Sequence, residues 1–193
     1  MPYNERQASA GRERLAQAII GAKGQPFVAA SPVRVSAPVT SSYGQRVHPV
    51  TQQQSFHTGI DYGVPKGTPV YATAPGYVSQ TTSAKASPYD PKGNSVFLQH
   101  PGGQQSRYEH LDKFSDQTLK GGEFNEGDLL GWSGDTGRST GDHLHYGNFD
   151  ASGQPMNPND AMNIRRRDMA DLMGAQGPAI TGKRKEVRKV ASK

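Results

Sequence analysis

From about Val35 onward the chain breaks into short β-prone runs, each ended within a few residues by glycine or proline. Such punctuation favours a turn-rich β architecture over a helical bundle. The composition agrees, with 23 glycines, 14 prolines and only 33% hydrophobic residues. Residues 68–74 and 77–81, on either side of Ala74-Pro75-Gly76, predict one hairpin. Residues 94–100 and 106–111 predict another around Pro101-Gly102-Gly103. Residues 129–133 and 143–149 supply the last strands. The polar stretch 82–93 is long enough to form a wall beside a groove.

The flanks read differently. Residues 5–20 suit a short helix or a disordered arm, which Gly21 through Pro26 then punctuate. Asn157-Pro158 has the pattern of a helix start, with proline at the first helical position, and residues 165–173 continue helical in pattern. The 193 residues fit one domain with terminal extensions. The expected division is an N-terminal arm or short helix at 1–34, a folded β-rich domain at 35–162 and a basic C-terminal helix and tail at 163–193. The expected fold is mainly β, with short helical N- and C-terminal extensions.

Charge is unevenly spread along the chain. Residues 25–164 are mildly acidic, whereas 165–193 hold nine Lys/Arg against three Asp/Glu. That basic tail is a candidate contact for an anionic envelope. It lacks the interleaved aromatics on which bases would stack, so specific nucleic-acid binding is not expected. No apolar run approaches the roughly 20 residues of a transmembrane helix. Cysteine is absent, so thiolate ligands are excluded and any metal must be held by nitrogen and oxygen.

Chemistry concentrates in two places, His57-Thr58-Gly59-Ile60-Asp61 and Asp142-His143-Leu144-His145. Side chains alternate along a strand, so His143 and His145 share a face, as do His57, Gly59 and Asp61 if extended. Two imidazoles and a carboxylate suit a divalent metal with one position left open, as hydrolytic zinc requires. His57, Asp61 and His145 are the expected ligands of one zinc ion per chain. His143 should border the metal. Alternation through Arg107-Tyr108-Glu109-His110 puts Tyr108 and His110 on one face and leaves Glu109 as a solvent-facing charge. His110 and His143 are the expected catalytic residues. His48 and His100, at turns, read as structural, and Trp132 as core. Arg46 and Tyr43 suit groove-lining and structural roles equally. Gly134–Gly141 resembles a phosphate loop only loosely, lacking its Gly-Lys-Ser/Thr ending.

The ordered motifs resemble those of the lysostaphin-type (LytM-like) zinc metallopeptidases, over roughly residues 37–162. They run from Ser42-Tyr43-Gly44-Gln45-Arg46-Val47-His48-Pro49 through His57-Thr58-Gly59-Ile60-Asp61-Tyr62 and Gly67-Thr68-Pro69-Val70-Tyr71. Gly93-Asn94, Tyr108-Glu109-His110-Leu111 and Gly127-Asp128-Leu129-Leu130-Gly131 follow. The series closes with Gly137-Arg138-Ser139-Thr140-Gly141-Asp142-His143-Leu144-His145-Tyr146 and Asn157-Pro158. The resemblance implies a small antiparallel β-sheet domain with a metal-floored groove, zinc on His57, Asp61 and His145, and His110 and His143 orienting water and stabilising the tetrahedral intermediate. Three departures bear on substrate preference: Glu109 where the family often has alanine, Asp142 where proline is usual, and Gly147 where glutamate is common.

The resemblance further implies an endopeptidase that cuts stem peptides or cross-bridges of bacterial peptidoglycan, acting as a monomer in the periplasm or cell wall. The alternative is a non-catalytic peptidoglycan-binding or amidase-regulating module. Such modules usually lack a ligand, and this chain lacks none. Residues 1–10 do not resemble a secretory signal, so the expected routes are a phage virion or lysis-released enzyme, or a fragment of a secreted protein.

Overall fold

The computed structural model describes residues 29–47 and 52–163. The expected helices at 5–20 and 165–173, the basic tail and His48 lie outside the described residues. Among the described residues twelve strands alternate with turns in chain order. They are β1 (Val39–Ser41), β2 (Gly44–Val47), β3 (Gln54–His57), β4 (Ile60–Tyr62), β5 (Pro69–Tyr71) and β6 (Gly76–Thr82). β7 (Asn94–Gln99), β8 (Gln105–Phe114), β9 (Glu123–Phe124), β10 (Leu129–Ser133), β11 (Leu144–Phe149) and β12 (Pro155–Met156) follow. A short helix, α1 (Asp116–Lys120), separates β8 from β9 and is capped by Ser115, whose side chain accepts from the Thr118 amide. A second helical segment, 158–163, begins at the predicted Asn157-Pro158, where Asn157 Oδ1 accepts from the Asn159 amide at 3.1 Å.

Ten strands form one antiparallel sheet with the path β1-β4-β11-β8-β7-β6-β9, and β2 pairs with β3 in a separate ribbon. The fold is mainly β, as the spacing of turns predicts. The hairpin at 94–111 forms as β7 against β8. The hairpin predicted around Ala74-Pro75-Gly76 does not. β5 pairs instead with β10, which also joins β8, while β6 pairs with β7 and β9. The Pro75 turn is a crossing between two parts of the sheet rather than a tight hairpin.

Registration across β4, β11 and β8 separates two functions. Ile60, Tyr146 and Tyr108 are aligned across the three strands, and all three are 0% exposed in the main core with Leu98, Leu111, Leu130 and Leu144. The neighbouring row, Asp61, His145 and Glu109, must therefore face the other side of the sheet. Trp132 is only partly buried, its ring covered by Lys113 with Nζ 4.5 Å from the centroid. Thus one layer of side chains holds the sheet together, and the layer behind it holds the chemistry.

Candidate metal centre

Three donor atoms converge in the middle of the sheet. His145 Nδ1 lies 2.8 Å from Asp61 Oδ1 and 3.0 Å from His57 Nε2, and His57 Nε2 is 3.2 Å from the same carboxylate oxygen. The strand register puts Asp61 directly opposite His145, while His57 arrives from the end of β3 in the separate ribbon. All three residues are buried.

The spacing fits a cation. Donors at about 2.0–2.1 Å from tetrahedral zinc stand about 3.3 Å apart, close to the observed separations. Tautomers agree as well. His57 Nδ1 donates to the Ser42 carbonyl at 2.9 Å, so its Nε2 presents a lone pair to the other two donors. His145 Nδ1 sits between Asp61 Oδ1 and His57 Nε2, so one cation can bridge all three. Burial by itself raises the Asp61 carboxyl, but the adjacent His145 and His57 outweigh it, leaving Asp61 well below the usual carboxylate range. The carboxylate is therefore ionised and ready to ligate. Two imidazoles and one carboxylate can thus hold a metal ion at His57, Asp61 and His145.

His110 and His143 stand beside this cluster, their ring centroids 4.6 Å apart. His110 Nδ1 donates to the Thr136 carbonyl at 2.8 Å, and His143 Nδ1 donates to the Gly141 carbonyl at 2.8 Å. Each ring is thereby oriented by the backbone and left with Nε2 for the cleft that both rings line. The Nε2 of His143 is 4.0 Å from Asp61 Oδ1. Burial lowers His110 to about 4, with the nearby imidazoles adding to the effect against the Thr136 bond, so it is neutral near pH 7.

Strand alternation misplaces His110. It should share a face with Tyr108, yet Tyr108 points into the core and His110 lines the cleft. A bulge explains the difference. The register between β7 and β8 shifts between the pairs Asn94–Leu111 and Val96–Tyr108, leaving an extra residue on β8, and His110 takes φ 64°. Left-handed backbone at a non-glycine residue is costly and needs support from its surroundings. Here the His110 amide bonds the Lys92 carbonyl at 2.9 Å, while the Asn94 side chain donates to the carbonyls of Leu111 and Asp112. Glu109 also departs from expectation, because it lines the cleft instead of facing solvent. Burial pushes its carboxyl up.

Arg46, which sequence alone left between two roles, reaches the centre. Its Nη1 lies 3.3 Å from Asp61 Oδ2 and also bonds Ser41 Oγ. Tyr43 is structural, donating from its hydroxyl to the Pro155 carbonyl at 2.9 Å. Thr136 carried no signal in sequence, although its carbonyl fixes the His110 tautomer and its hydroxyl bonds the Leu111 carbonyl at 2.7 Å. The loop 82–93 does wall the groove, through Pro91 and Lys92.

Residues 55–158, more than half of the chain, match peptidase family M23. The chain belongs to that family. Among M23 relatives, the DD-carboxypeptidase/endopeptidase Mpg of Neisseria meningitidis is 42% identical over 120 residues, covering 62% of this chain and 26% of Mpg. The peptidoglycan DD-endopeptidase ShyA of Vibrio cholerae is 42% identical over 113 residues, covering 58% of this chain and 24% of ShyA. The catalytic domain of the antimicrobial peptidase lysostaphin from Staphylococcus simulans superposes with a TM-score of 0.53 at 26% identity, covering 64% of this chain and 90% of that one. This M23 chain spans about a quarter of the length of the curated relatives it matches. The resemblance read from the motifs is thereby borne out at the level of family and fold.

Proposed function

We propose that the chain is a zinc-dependent endopeptidase that hydrolyses peptide cross-links of bacterial peptidoglycan. The observation that carries this reading is the convergence of His57 Nε2, Asp61 Oδ1 and His145 Nδ1 within 3.2 Å of one another, beside two further imidazoles with oriented Nε2 atoms. Family membership and the peptidoglycan-cleaving names of the relatives support the substrate class. A divalent cation on these ligands, with zinc suited to two nitrogens and an oxygen, supplies a Lewis acid that polarises a peptide carbonyl and acidifies water.

The chain's own residues do the rest. His57 and His145 are held by Ser42 and by the strand register, so the ligand set is formed before substrate arrives. His110, neutral near pH 7, offers Nε2 as an acceptor for a proton from the attacking water, with His143 beside it. The protonated imidazole then donates to the carbonyl oxygen as negative charge develops, and passes its proton to the leaving amine as the C–N bond breaks. Arg46 fixes the second oxygen of Asp61. The basic tail, as a contact with an anionic envelope, is an accessory to this reading. Among the described residues no helix is long and apolar enough to cross a membrane.

Purified protein should release peptide fragments from isolated sacculi, lose that activity to a chelator and regain it with zinc. His110→Ala should retain zinc yet lose roughly 100-fold or more in rate, the usual scale for a positioned acid–base group. Full activity in a zinc-loaded His110→Ala protein would remove His110 from the mechanism. No fragment release by the zinc-loaded wild type would remove the reading itself.

A further inference from the structure

Several of the charges lining the cleft are committed, the exposed Arg138 being an exception among the cations. Arg46 is engaged by Asp61 and Ser41, and Lys92 by Asp90 at 2.9 Å. Asp61 is surrounded by imidazoles. Glu109 stands apart. Its carboxyl lines the cleft, yet among the described residues it makes no hydrogen bond and no ion pair. The other nearby cation, Arg107, is occupied as well. Its guanidinium lies 3.6 Å from the Phe149 ring centroid and 4.8 Å from that of Phe97, and its Nε bonds Gln105 Oε1 at 2.6 Å. A desolvated carboxylate without a partner is costly, and a cation that arrives with a ligand offsets that cost.

We infer that Glu109 is a specificity-determining residue that binds an ammonium group on the peptide substrate, next to the scissile bond. Its position sets the distance. Glu109 is the direct cross-strand partner of His145 and the chain neighbour of His110, so an ammonium resting on it lies within a residue or two of the bond facing those imidazoles. The same charge acts against the wrong ligand, because a substrate carboxylate resting at this place meets the Glu109 carboxylate itself. This assignment rests on the peptidase reading above and names the chemistry of its substrate: a peptide with a primary amine on a residue flanking the cleaved bond.

The test separates the two ideas. Zinc-loaded protein is titrated calorimetrically with two peptides whose scissile bond is N-methylated against cleavage. One carries a primary amine on the flanking residue, and the other carries the same amine acetylated. Wild type should bind the amine peptide at least tenfold more tightly. Glu109→Gln, nearly identical in shape, should lose that preference while its affinity for the acetylated peptide moves less than threefold. Equal binding of both peptides by wild type, or a parallel loss for both in Glu109→Gln, overturns the inference. Sacculus digestion by the same wild-type preparation reports on the peptidase reading alone, and the binding ratio decides Glu109 whichever way that digestion goes.

Discussion

Gly59 lies against the ring of His145: a Cβ there would stand 2.7 Å from both Cε1 and Nε2, and would also press on the Tyr146 carbonyl. Two of these neighbours belong to the ring whose Nδ1 faces Asp61 and His57 in the candidate metal centre, and the third is backbone of a central strand. Alanine at position 59 must therefore displace His145 or the strand carrying it. The expected outcome for Gly59→Ala is a 10- to 100-fold loss of zinc affinity, the scale seen when groups that orient a ligand are disturbed. Competition against a chromophoric chelator measures it, and affinity within threefold of wild type would show that the ring accommodates the methyl group. Sequence made Gly59 visible only as a spacer between two ligands. The residue scale also shows where alternation fails. The period-2 rule placed His110 beside Tyr108, and one inserted residue with φ 64° moved it to the opposite face. Bulges leave little trace in composition, so Glu109 and His110 could be recognised as neighbours of a site but not oriented.

At the scale of elements, the strand pairs that were legible are those joined by short turns. β7 and β8 follow one another through Pro101-Gly102-Gly103, and local sequence suffices to pair them. β5 meets β10 across more than fifty residues of chain, and no local signal selects that partner over β6. The junction at Pro75 is instead held by a polar network. His100 Nδ1 donates to the Pro75 carbonyl at 2.7 Å, and its Nε2 lies 2.8 Å from Ser106 Oγ. From there the chain of hydrogen bonds runs through Tyr108, Thr73 and Tyr146. The structural role assigned to His100 from its turn position agrees with this. Burial lowers His100 from 6.5 to about 4, against the smaller opposing effect of the Pro75 bond. The unfolded chain takes up this proton near pH 6.5, whereas the folded chain resists it until about 4. Stability from neutral His100 is therefore complete above pH 6.5 and drains away as pH falls toward 4. By pH 5 the loss is about 2 kcal/mol, or a fall in Tm of about 5 °C. Thermal melts at pH 7.5 and 5 should show this decline in wild type and a shallower one in His100→Gln. An identical pH slope in the two proteins would place the acid sensitivity elsewhere.

For the whole molecule, the metal site reads as a joint between two sheets. Asp61 and His145 belong to neighbouring strands of the large sheet, but His57 ends β3, which among the described residues pairs only with β2. The candidate ligands could be picked out in sequence because each motif is local and its chemistry is distinctive. That they unite two sheets could not, since it depends on how the ribbon β2–β3 turns through Thr58-Gly59 into β4. A cation shared by His57, Asp61 and His145 thus stabilises the fold by linkage, binding the native arrangement and not the unfolded chain. At free zinc about 100-fold above Kd the gain is about 2.7 kcal/mol, which corresponds to a rise in Tm of about 5–10 °C. Calorimetry with zinc and then with excess chelator should show that difference in wild type, and Asp61→Ala should show almost none of it. The location of the effect is the sharper test. If the metal joins the ribbon to the sheet, hydrogen exchange after chelation should accelerate most in residues 44–47 and 54–57, while the β7–β8 pair keeps its protection. Acceleration spread evenly over both sheets would mean that the ribbon is held by its own packing, of which the Tyr43–Phe56 ring pair at 5.1 Å is the visible part, and that the cation serves the chemistry without securing the fold.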